Sequence, residues 1–291
     1  MQPSGLINVL KPGGMTSRAV VDRVQRWVRP AKVGHAGTLD PLATGVLVVC
    51  VGPATRLIEY VQRLPKRYTG TFLLGRQSTT EDIEGEVIEL PDARRPTREE
   101  LEHAAARLVG TIQQRPPQFS ALKVAGRRAY DLARRGEQVD LAPREITIYR
   151  CQLGEFEYPR FVLDIECSGG TYVRSLGRDL AESVGSAAVM SALVRTAIGH
   201  FNIANAWPLD RLNADTLGQA LLPTAEAVRA LPAIVLSPAE AIRIGLGQTI
   251  DTPAPDAMAH DLAAFDDQGR LVSILRRRPD GSLGPIRNFP V

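Results

Sequence analysis

Cysteine is too scarce and too widely spaced for a disulfide-stabilised protein or a protein with a cysteine zinc site. The 291 residues contain three cysteines, Cys50, Cys151 and Cys167. No CxxC pair occurs, so the chain encodes neither a disulfide framework nor a zinc cage. Cys50 and Cys167 lie in apolar runs, where cysteine is usually a small buried hydrophobic residue, and this usage fits a reducing compartment. The four histidines are scattered, and they suggest no metal site.

Nucleotide-binding and membrane motifs are also absent. Neither GxGxxG nor GxxxxGK(S/T) occurs, so nothing predicts a dinucleotide or nucleoside triphosphate site. The N-terminus lacks a basic segment followed by a long apolar run. The longest strongly apolar run, residues 46–51, is far too short to cross a bilayer. The sequence therefore predicts a soluble, cytoplasmic protein, and it contains no evident dimer seam, so we expect a monomer.

The rest of the composition is that of an ordinary globular protein, with 44% hydrophobic and 23% charged residues. Predicted strands and helices are interspersed, which favours an α+β fold with a mixed, largely antiparallel sheet flanked by helices. The predicted strands are residues 5–10, 46–52, 67–75, 146–153 and 161–167. The predicted helices are a segment after Thr16 that stops before Pro30, and residues 54–64, 97–110 and 171–184.

Two details refine these elements. Thr97 and Glu100 have the spacing of a capping box, and Gly110 is expected to end that helix. Residues 209–230 are predicted to be helical and linker-like. β character follows after Pro232, with a hairpin turn at residues 266–269. The boundary near residue 231 predicts an accessory barrel of about 60 residues, which is small for an independent fold.

A loop at residues 34–45 is the strongest candidate for chemistry. Glycine and proline specify its shape, and it leads directly into a buried strand, an arrangement in which catalytic groups are often displayed. Its polar members include His35 and Asp40. An aspartate in such a loop could act as a nucleophile or base. It could equally cap a turn through its own backbone contacts, as most loop aspartates do.

Longer stretches of the chain resemble one family. GHAGTLDPLATGVL at residues 34–47 is similar to the catalytic motif of bacterial TruB-type tRNA pseudouridine synthases, and KPGGMTS at residues 11–17 is similar to their N-terminal motif. KRY at 66–68, the segment 116–136 and CSGGTYVRSLGRDL at 167–180 resemble further segments of that family. The tail is similar to its small PUA-like RNA-binding domain. Two positions depart from the pattern: Arg18-Ala19 after KPGGMTS, and Val194 where the family commonly has arginine.

The resemblance implies a pseudouridine synthase fold and a role for each matching residue. Asp40 would be the catalytic aspartate and Arg174 the arginine that pairs with it. His35, Tyr68, Tyr172 and Leu193 would contact the substrate. The implied domains are a catalytic domain at residues 1–230, with an RNA-gripping insertion at about 115–144, and a PUA-like domain at 231–291. The implied reaction isomerises uridine-55 in the T-loop of tRNA to pseudouridine, with the base flipped out. It is expected to need no cofactor, whether a redox group, a metal or ATP, and no obligate protein partner.

The positive charge that supports an RNA partner is concentrated in one segment of the chain. The net charge of the whole chain is +3. Residues 115–144 contain seven lysines and arginines against three acids, which gives 7 − 3 = +4. Such an excess suits contacts with phosphates, although a charged run is usually a solvated surface. The predicted RNA contacts are Lys123, Arg127, Arg128 and Arg134, with the arginines at 276–278 as a second grip.

Three other functions remain open at this point. The chain could be a non-catalytic RNA-binding protein that helps tRNA fold. It could be a pseudouridine synthase that depends on a guide RNA, although the insertion favours the stand-alone form. An unrelated hydrolase using Asp40 and His35 is a third alternative, but no third member of a catalytic triad is identifiable.

Overall fold

The protein is described from a computed structural model. It covers residues 3–117, 119, 141–253 and 260–289, together with the backbone of 123–124 and 127–128. None of the helices in these ranges is long and apolar enough to cross a membrane.

Short helices and many strands make up the described residues. In chain order, the α-helices are α1 (Ser17–Val28), α2 (Ile58–Arg63), α3 (Arg98–Arg107), α4 (Val173–Ser183), α5 (Leu217–Ala220) and α6 (Pro238–Gly245). The strands are β1 (Gly5–Lys11), β2 (Val33–His35), β3 (Thr44–Val51), β4 (Lys66–Leu74), β5 (Arg76–Ser78), β6 (Val87–Glu89), β7 (Gly110–Gln114), β8 (Lys123–Val124), β9 (Arg127–Arg128), β10 (Arg144–Glu157), β11 (Arg160–Cys167), β12 (Ala188–Ile198), β13 (Phe201–Asn202), β14 (Trp207–Pro208), β15 (Ala233–Val235), β16 (Asp261–Phe265), β17 (Leu271–Arg277) and β18 (Leu283–Asn288).

The main sheet has the strand order β14-β1-β3-β12-β4-β11-β10-β7, with β2 on β3 and β13 on β12. Most neighbours are antiparallel, and the parallel pairs are β1 with β14 and β3 with β12. The α+β prediction with a mixed, largely antiparallel sheet is therefore confirmed. The parallel pair sets Arg195 of β12 opposite Gly45 of β3, so β12 lies beside the loop that precedes β3.

Local sequence explains where α1 and α3 begin. Thr16 caps α1 by accepting a hydrogen bond from the amide of Ala19, and the buried valines of α1 lie on one face of the helix. Thr97 and Glu100 form the predicted capping box at the start of α3. The expected end of this helix was wrong. It stops at Arg107, and Gly110 instead opens β7 with a φ of +119°, a conformation that favours glycine.

Two other predicted elements differ in the structure. The predicted helix at 54–64 is split into a 3-10 turn, Gly52–Leu57, and the short α2. Residues 209–230 form two 3-10 turns, Leu209–Arg211 and Thr224–Val228, on either side of the short α5 rather than one helix. Asn213 contributes to this break because its side chain accepts hydrogen bonds from the amides of Asp215 and Thr216, in competition with a helical pattern.

Close packing fixes the depth of α4 on the sheet. Phe72 of β4 stacks on Phe161 of β11, with 5.1 Å between ring centroids, and Leu176 and Leu180 of α4 belong to the same core. A Cβ atom on Gly177 would lie 2.0 Å from the ring of Phe72. Only glycine allows this approach, which holds the N-terminal half of α4 against the sheet.

A second sheet, in the order β15-β16-β17-β18, follows the main one and begins at Ala233. The predicted hairpin lies between β16 and β17. The hydroxyl of Tyr60 on α2 donates to Asp261 of β16 at 2.9 Å, and Glu59 pairs with Arg287 of β18. The second sheet is thus fastened to α2, while the domain boundary near residue 231 and the PUA-like assignment stay predictions.

Candidate active site

Two residues of the N-terminal segment, Lys11 and Ser17, anchor the loop that carries Asp40. The fully buried ammonium of Lys11 donates to the carbonyls of Pro12, Met15 and Pro41 at 2.8, 2.5 and 3.3 Å. Burial lowers the pKa of Lys11 to about 8, although the negative charge of Asp40 acts in the opposite direction. The hydroxyl of buried Ser17 accepts from the amide of Leu39 and donates to its carbonyl. Both backbone groups before Asp40 are therefore fixed.

Arg195 supports the same loop from the side. Its guanidinium is buried and donates to the carbonyls of Val46, Gly37 and Thr38 at 2.7, 3.0 and 3.3 Å. Gly45 is needed at this contact, since a Cβ there would lie 2.2 Å from the carbonyl oxygen of Arg195. These hydrogen bonds hold the shape of the loop without touching the carboxylate of Asp40.

Arg174, at the start of α4, contacts that carboxylate directly. Its Nη2 lies 3.1 Å from Oδ2 of Asp40, and its Nη1 lies 3.5 Å from Oδ2 of Asp82. It also donates to the carbonyls of Thr80 and Phe119 at 2.6 and 3.1 Å. The side chain of Arg174 is 7% exposed and that of Asp40 is 37% exposed. One side of the aspartate is thus fixed by charge, and the other is open.

The open side faces a cavity of about 660 Å³. Five residues predicted from the sequence are brought together in its walls: Asp40, Tyr68, Tyr172, Arg174 and Leu193. The volume is typical of a pocket for a small molecule or a single nucleotide. Burial raises the pKa of Tyr68, so its phenol stays protonated at neutral pH.

Tyr172 is held from two directions. The amide side chain of fully buried Gln114 donates to the carbonyl of Tyr172 at 2.9 Å and accepts from its N–H at 2.8 Å. The guanidinium of Arg144 lies over the Tyr172 ring, 4.5 Å from the centroid. The ring is therefore fixed at the cavity wall before any ligand arrives, with one face on a cation.

His35 lies on the short strand at the start of the Asp40 loop. It lies in β2, opposite Val49 of β3, and it is not among the residues that line the cavity. Its Nδ1 is buried and has no hydrogen-bond partner within the described residues. Burial and the nearby charge of Arg195 lower its pKa, so the ring is neutral at neutral pH. The predicted contact of His35 with substrate stays a prediction.

Several residues near the site are not singled out by the sequence patterns. Asp82 is buried beside Arg174, and its Oδ1 accepts from the hydroxyl of Thr80 at 2.6 Å and the amide of Glu84 at 3.1 Å. The only signal for Asp82 is its place in a turn-like TTEDIEG segment. Lys66 is 5% exposed and lines the cavity, and burial lowers its pKa to about 8. The sequence patterns select only the tyrosine of its KRY segment.

The predicted RNA contacts are less fully described. Lys123 and Arg128 face each other in the small β8–β9 hairpin, where Arg127 pairs with Val124. The side chains of these residues, and Arg134 as a whole, lie outside the described residues. Their contacts with RNA therefore stay predictions.

The chemical capacity of the site follows from this arrangement. A partly exposed carboxylate with a fixed arginine partner, facing a cavity with aromatic walls, suits a nucleophile or base acting on a planar ligand. Over the part of the chain that is described, no cluster of three or more histidine, cysteine, aspartate or glutamate side chains could hold a metal ion.

Comparisons with known proteins point to one family. A family profile described as the N-terminal domain of TruB family pseudouridylate synthases matches residues 25–173. The tRNA pseudouridine synthase B of Moorella thermoacetica is 39% identical, with 95% of this chain and 94% of the relative covered. The proteins of the same name from Thermobifida fusca and Arthrobacter sp. are 42% and 44% identical. The Thermobifida fusca comparison covers 98% of this chain and 98% of the relative. The Arthrobacter sp. comparison covers 94% of this chain and 92% of the relative.

Solved structures agree on the fold. A Cbf5–Nop10–Gar1 complex matches with a TM-score of 0.72 at 23% identity, over 94% of this chain and 78% of that one. An H/ACA RNP bound to a substrate RNA matches with a TM-score of 0.76 at 21% identity, over 99% and 85% of the two chains. At this level of identity the likeness concerns the fold alone, and it confirms the fold expected from the sequence.

Proposed function

This chain belongs to the TruB family of pseudouridylate synthases, and we propose that it converts uridine-55 in the T-loop of tRNAs to pseudouridine with Asp40 as the nucleophile. Family membership makes it a pseudouridine synthase, and relatives named tRNA pseudouridine synthase B support tRNA as the substrate. The observation that carries the role of Asp40 is its 3.1 Å contact with Arg174 at the edge of the cavity.

The reaction is an isomerisation that requires no exchange of atoms with another molecule. The C1′–N1 bond of uridine breaks, the uracil rotates, and a C1′–C5 bond forms, while the proton lost from C5 is balanced by the one gained at N1. A carboxylate can assist by forming a transient bond to C1′ of the ribose or to C6 of the base. Both attacks are compatible with a carboxylate that is open on one side.

Arg174 determines which way the carboxylate points. Its fork contacts Asp40 through Nη2 and Asp82 through Nη1, so the two acids hold the guanidinium from two directions. Fixing the nucleophile in this way lowers the entropy cost of attack, and misplacement by about 1 Å can cost roughly 100-fold in rate. The partly exposed Oδ atoms of Asp40 then face the space that the substrate would occupy.

The aromatic walls of the cavity suit a base taken out of its stack. Extruding a nucleotide costs a few kcal/mol, and stacking on an aromatic side chain can return about 1–3 kcal/mol. Tyr172, held by Gln114 and Arg144, supplies a fixed ring for this purpose. Tyr68 and Leu193 supply apolar surface on the other walls.

The segment that follows β7 is the proposed RNA grip. Its local charge excess favours phosphate contacts that weaken as salt rises. The carbonyl of Phe119, within this segment, accepts a hydrogen bond from Arg174. This hydrogen bond joins the proposed grip directly to the arginine that pairs with Asp40.

The test uses the purified protein alone with an unmodified tRNA transcript. Pseudouridine is mapped by chemical derivatisation and primer extension, and tRNA binding is measured separately. We expect a single new stop at the T-loop uridine, no stop with Asp40→Asn, and retained binding by that variant. Asp22→Asn is the matched control, because Asp22 is a half-exposed aspartate on α1 that pairs only with Arg18 among the described residues.

Three results would contradict the proposal. Salt-sensitive binding without any product would favour the RNA-folding or guide-dependent alternatives. A stop at another uridine would overturn the assigned position. Loss of binding together with product in Asp40→Asn would show that Asp40 serves the complex and not the chemistry.

A further inference from the structure

Glu81 adopts a backbone conformation that residues with a side chain rarely take. Its φ is +62°, and it is the one non-glycine residue with positive φ among the described residues. This left-handed region is unfavourable for a residue with a Cβ atom, and it persists only where surrounding contacts impose it. Such positions are frequent near functional sites, so the contacts that impose it on Glu81 are informative.

The turn around Glu81 supplies two of the partners of Arg174. The residue before it, Thr80, accepts from Nη1 of Arg174 through its carbonyl at 2.6 Å. The residue after it, Asp82, pairs with the same Nη1 at 3.5 Å. A left-handed residue between them turns the chain so that a carbonyl and a carboxylate reach one guanidinium nitrogen.

The side chain of Glu81 is bound by α4, the helix that carries Arg174. The hydroxyl of fully buried Ser175 donates to Oε2 of Glu81 at 2.7 Å, and Arg178 pairs with Oε1. Ser175 is one residue after Arg174, and Arg178 is one helical turn further on. The turn therefore holds α4 through Glu81, while α4 contacts the turn through Arg174.

The sheet fixes the same turn from its other side. Met190 of β12 donates its amide to the carbonyl of Glu81 at 3.0 Å, and its carbonyl accepts from the amide of Ile83 at 3.1 Å. The backbone is thus pinned to β12, and the carboxylate is pinned to α4. Glu81 is 12% exposed and does not line the cavity, so it acts only through other groups.

From this double attachment we infer that Glu81 is a positioning residue, which sets the Thr80–Asp82 turn so that Arg174 presents Asp40 to the substrate. The inference rests on the proposed function. The carboxylate of Glu81 stabilises the strained turn, the turn fixes Arg174, and Arg174 orients the nucleophile. Loss of the carboxylate is expected to lower the rate of the chemical step and to leave tRNA affinity unchanged.

Single-turnover rates and tRNA dissociation constants test this order of action. We expect Glu81→Ala to slow pseudouridine formation by about 10- to 100-fold, as expected for a nucleophile displaced by less than 1 Å, with affinity unchanged within about twofold. Glu81→Gln keeps hydrogen bonding to Ser175 and Arg178 and should retain more of the rate. The matched control is Glu155→Ala, which removes an exposed glutamate paired with Arg160.

Two further variants separate positioning from simple stability. Glu81→Gly accepts positive φ without strain, so it should match or exceed the stability of Glu81→Ala yet remain slow. In an Arg174→Lys background, Glu81→Ala should cost little further rate, because both changes act through one guanidinium. Equal additive losses in the two backgrounds would overturn the inference, and so would a wild-type rate for folded Glu81→Ala.

The two proposals fail differently in this experiment. If the wild-type protein makes no pseudouridine in tRNA, the proposed function is wrong. If the wild type is active, Asp40→Asn is inactive and Glu81→Ala is as fast as Glu155→Ala, only the role of Glu81 is wrong. Should Glu81→Ala not fold, a wild-type rate for Glu81→Gln together with a wild-type rate for Ser175→Ala would overturn the inference.

Discussion

Two buried arginines lie beside the same loop and do different work. Arg174 meets two carboxylates and two backbone carbonyls. Arg195 meets three carbonyls and, within the described residues, no carboxylate lies within ion-pair distance of it. The Arg174 region is governed by charge, and the Arg195 region is governed by the shape of the backbone. Arginine thus serves two purposes here: Arg174 orients the carboxylate of Asp40, and Arg195 holds the backbone of the loop that carries it.

The difference depends on what each arginine leaves behind when it is lost. Loss of Arg174 strands Asp82, a carboxylate that is 2% exposed. Loss of Arg195 strands carbonyls, and those of Gly37 and Thr38 belong to residues at the cavity, where water can replace a donor. A stranded buried charge costs more than a stranded carbonyl, so the two regions should respond unequally to the same substitution.

The largest effect is expected from Arg174→Met. Removing one partner of a buried ion pair typically lowers the free energy of unfolding by about 3–5 kcal/mol. The nucleophile also loses its orienting group, so pseudouridine formation should fall by more than about 100-fold. Denaturant unfolding and single-turnover kinetics measure the two effects, and Arg160→Met serves as the exposed control. A stability close to that of the control would break the comparison.

Arg195→Met should be milder and should affect stability more than the environment of the carboxylate. We expect about 1–3 kcal/mol of destabilisation, mainly from the carbonyl of fully buried Val46, which loses its donor. At a temperature where the variant is folded, activity should fall less than in Arg174→Met. The same unfolding and kinetic measurements apply. An activity loss equal to that of Arg174→Met would mean that holding the loop backbone matters as much to the reaction as orienting the carboxylate of Asp40.

Ser17→Ala tests a second residue that, like Arg195, holds only the backbone of the Asp40 loop. Its hydroxyl serves both the amide and the carbonyl of Leu39, so we expect a loss of about 1–2 kcal/mol in unfolding free energy. The rate should fall by less than in Arg195→Met, since only the residue before Asp40 is released. Thr16→Ala, which removes the exposed cap of the same helix, provides the control for effects on α1. Equal rates in Ser17→Ala and Thr16→Ala would show that the contact between Ser17 and Leu39 does not affect the position of Asp40.

The smallest effect concerns pH and His35. Its pKa is lowered below the ordinary value of 6.5, so the unfolded chain takes up a proton at His35 more readily than the folded one. The contribution of this residue to stability is therefore full above 6.5 and lost as the pH falls below that value. Unfolding free energies at pH 5.5, 6.5 and 7.5 should show a smaller decrease in His35→Gln than in wild type. Exposed His103→Gln should follow wild type, and a steeper decrease in His35→Gln would contradict the sign.

The sequence could predict those parts of the site that lie in contiguous motifs. The loop with Asp40 and the start of α4 with Arg174 were identified because each motif is local. The starts of α1 and α3 were predictable for a similar reason, since caps depend on residues three apart. These features need little knowledge of what packs against them.

Tertiary contacts determined the rest. Strand β12 was not predicted, because its sequence, AVMSALVRTAI, does not alternate apolar and polar residues and includes Arg195, which only the fold buries. Asp82 and Gln114 looked like ordinary polar residues, and only the fold brings them to Arg174 and Tyr172. His35 was selected by its motif alone, and its predicted contact with substrate stays a prediction, since it is not among the residues that line the cavity.

Gly177 limits which sequences this enzyme can tolerate. Alanine is the better helix former by about 1 kcal/mol, so an isolated helix would improve on replacing this glycine. In the protein, the added methyl group would meet Phe72 and lift α4 from the sheet, together with the arginine at its start. Optimising the helix and preserving the enzyme are opposed at this position, and a search for stabilising mutations based on helix propensity would choose the wrong residue.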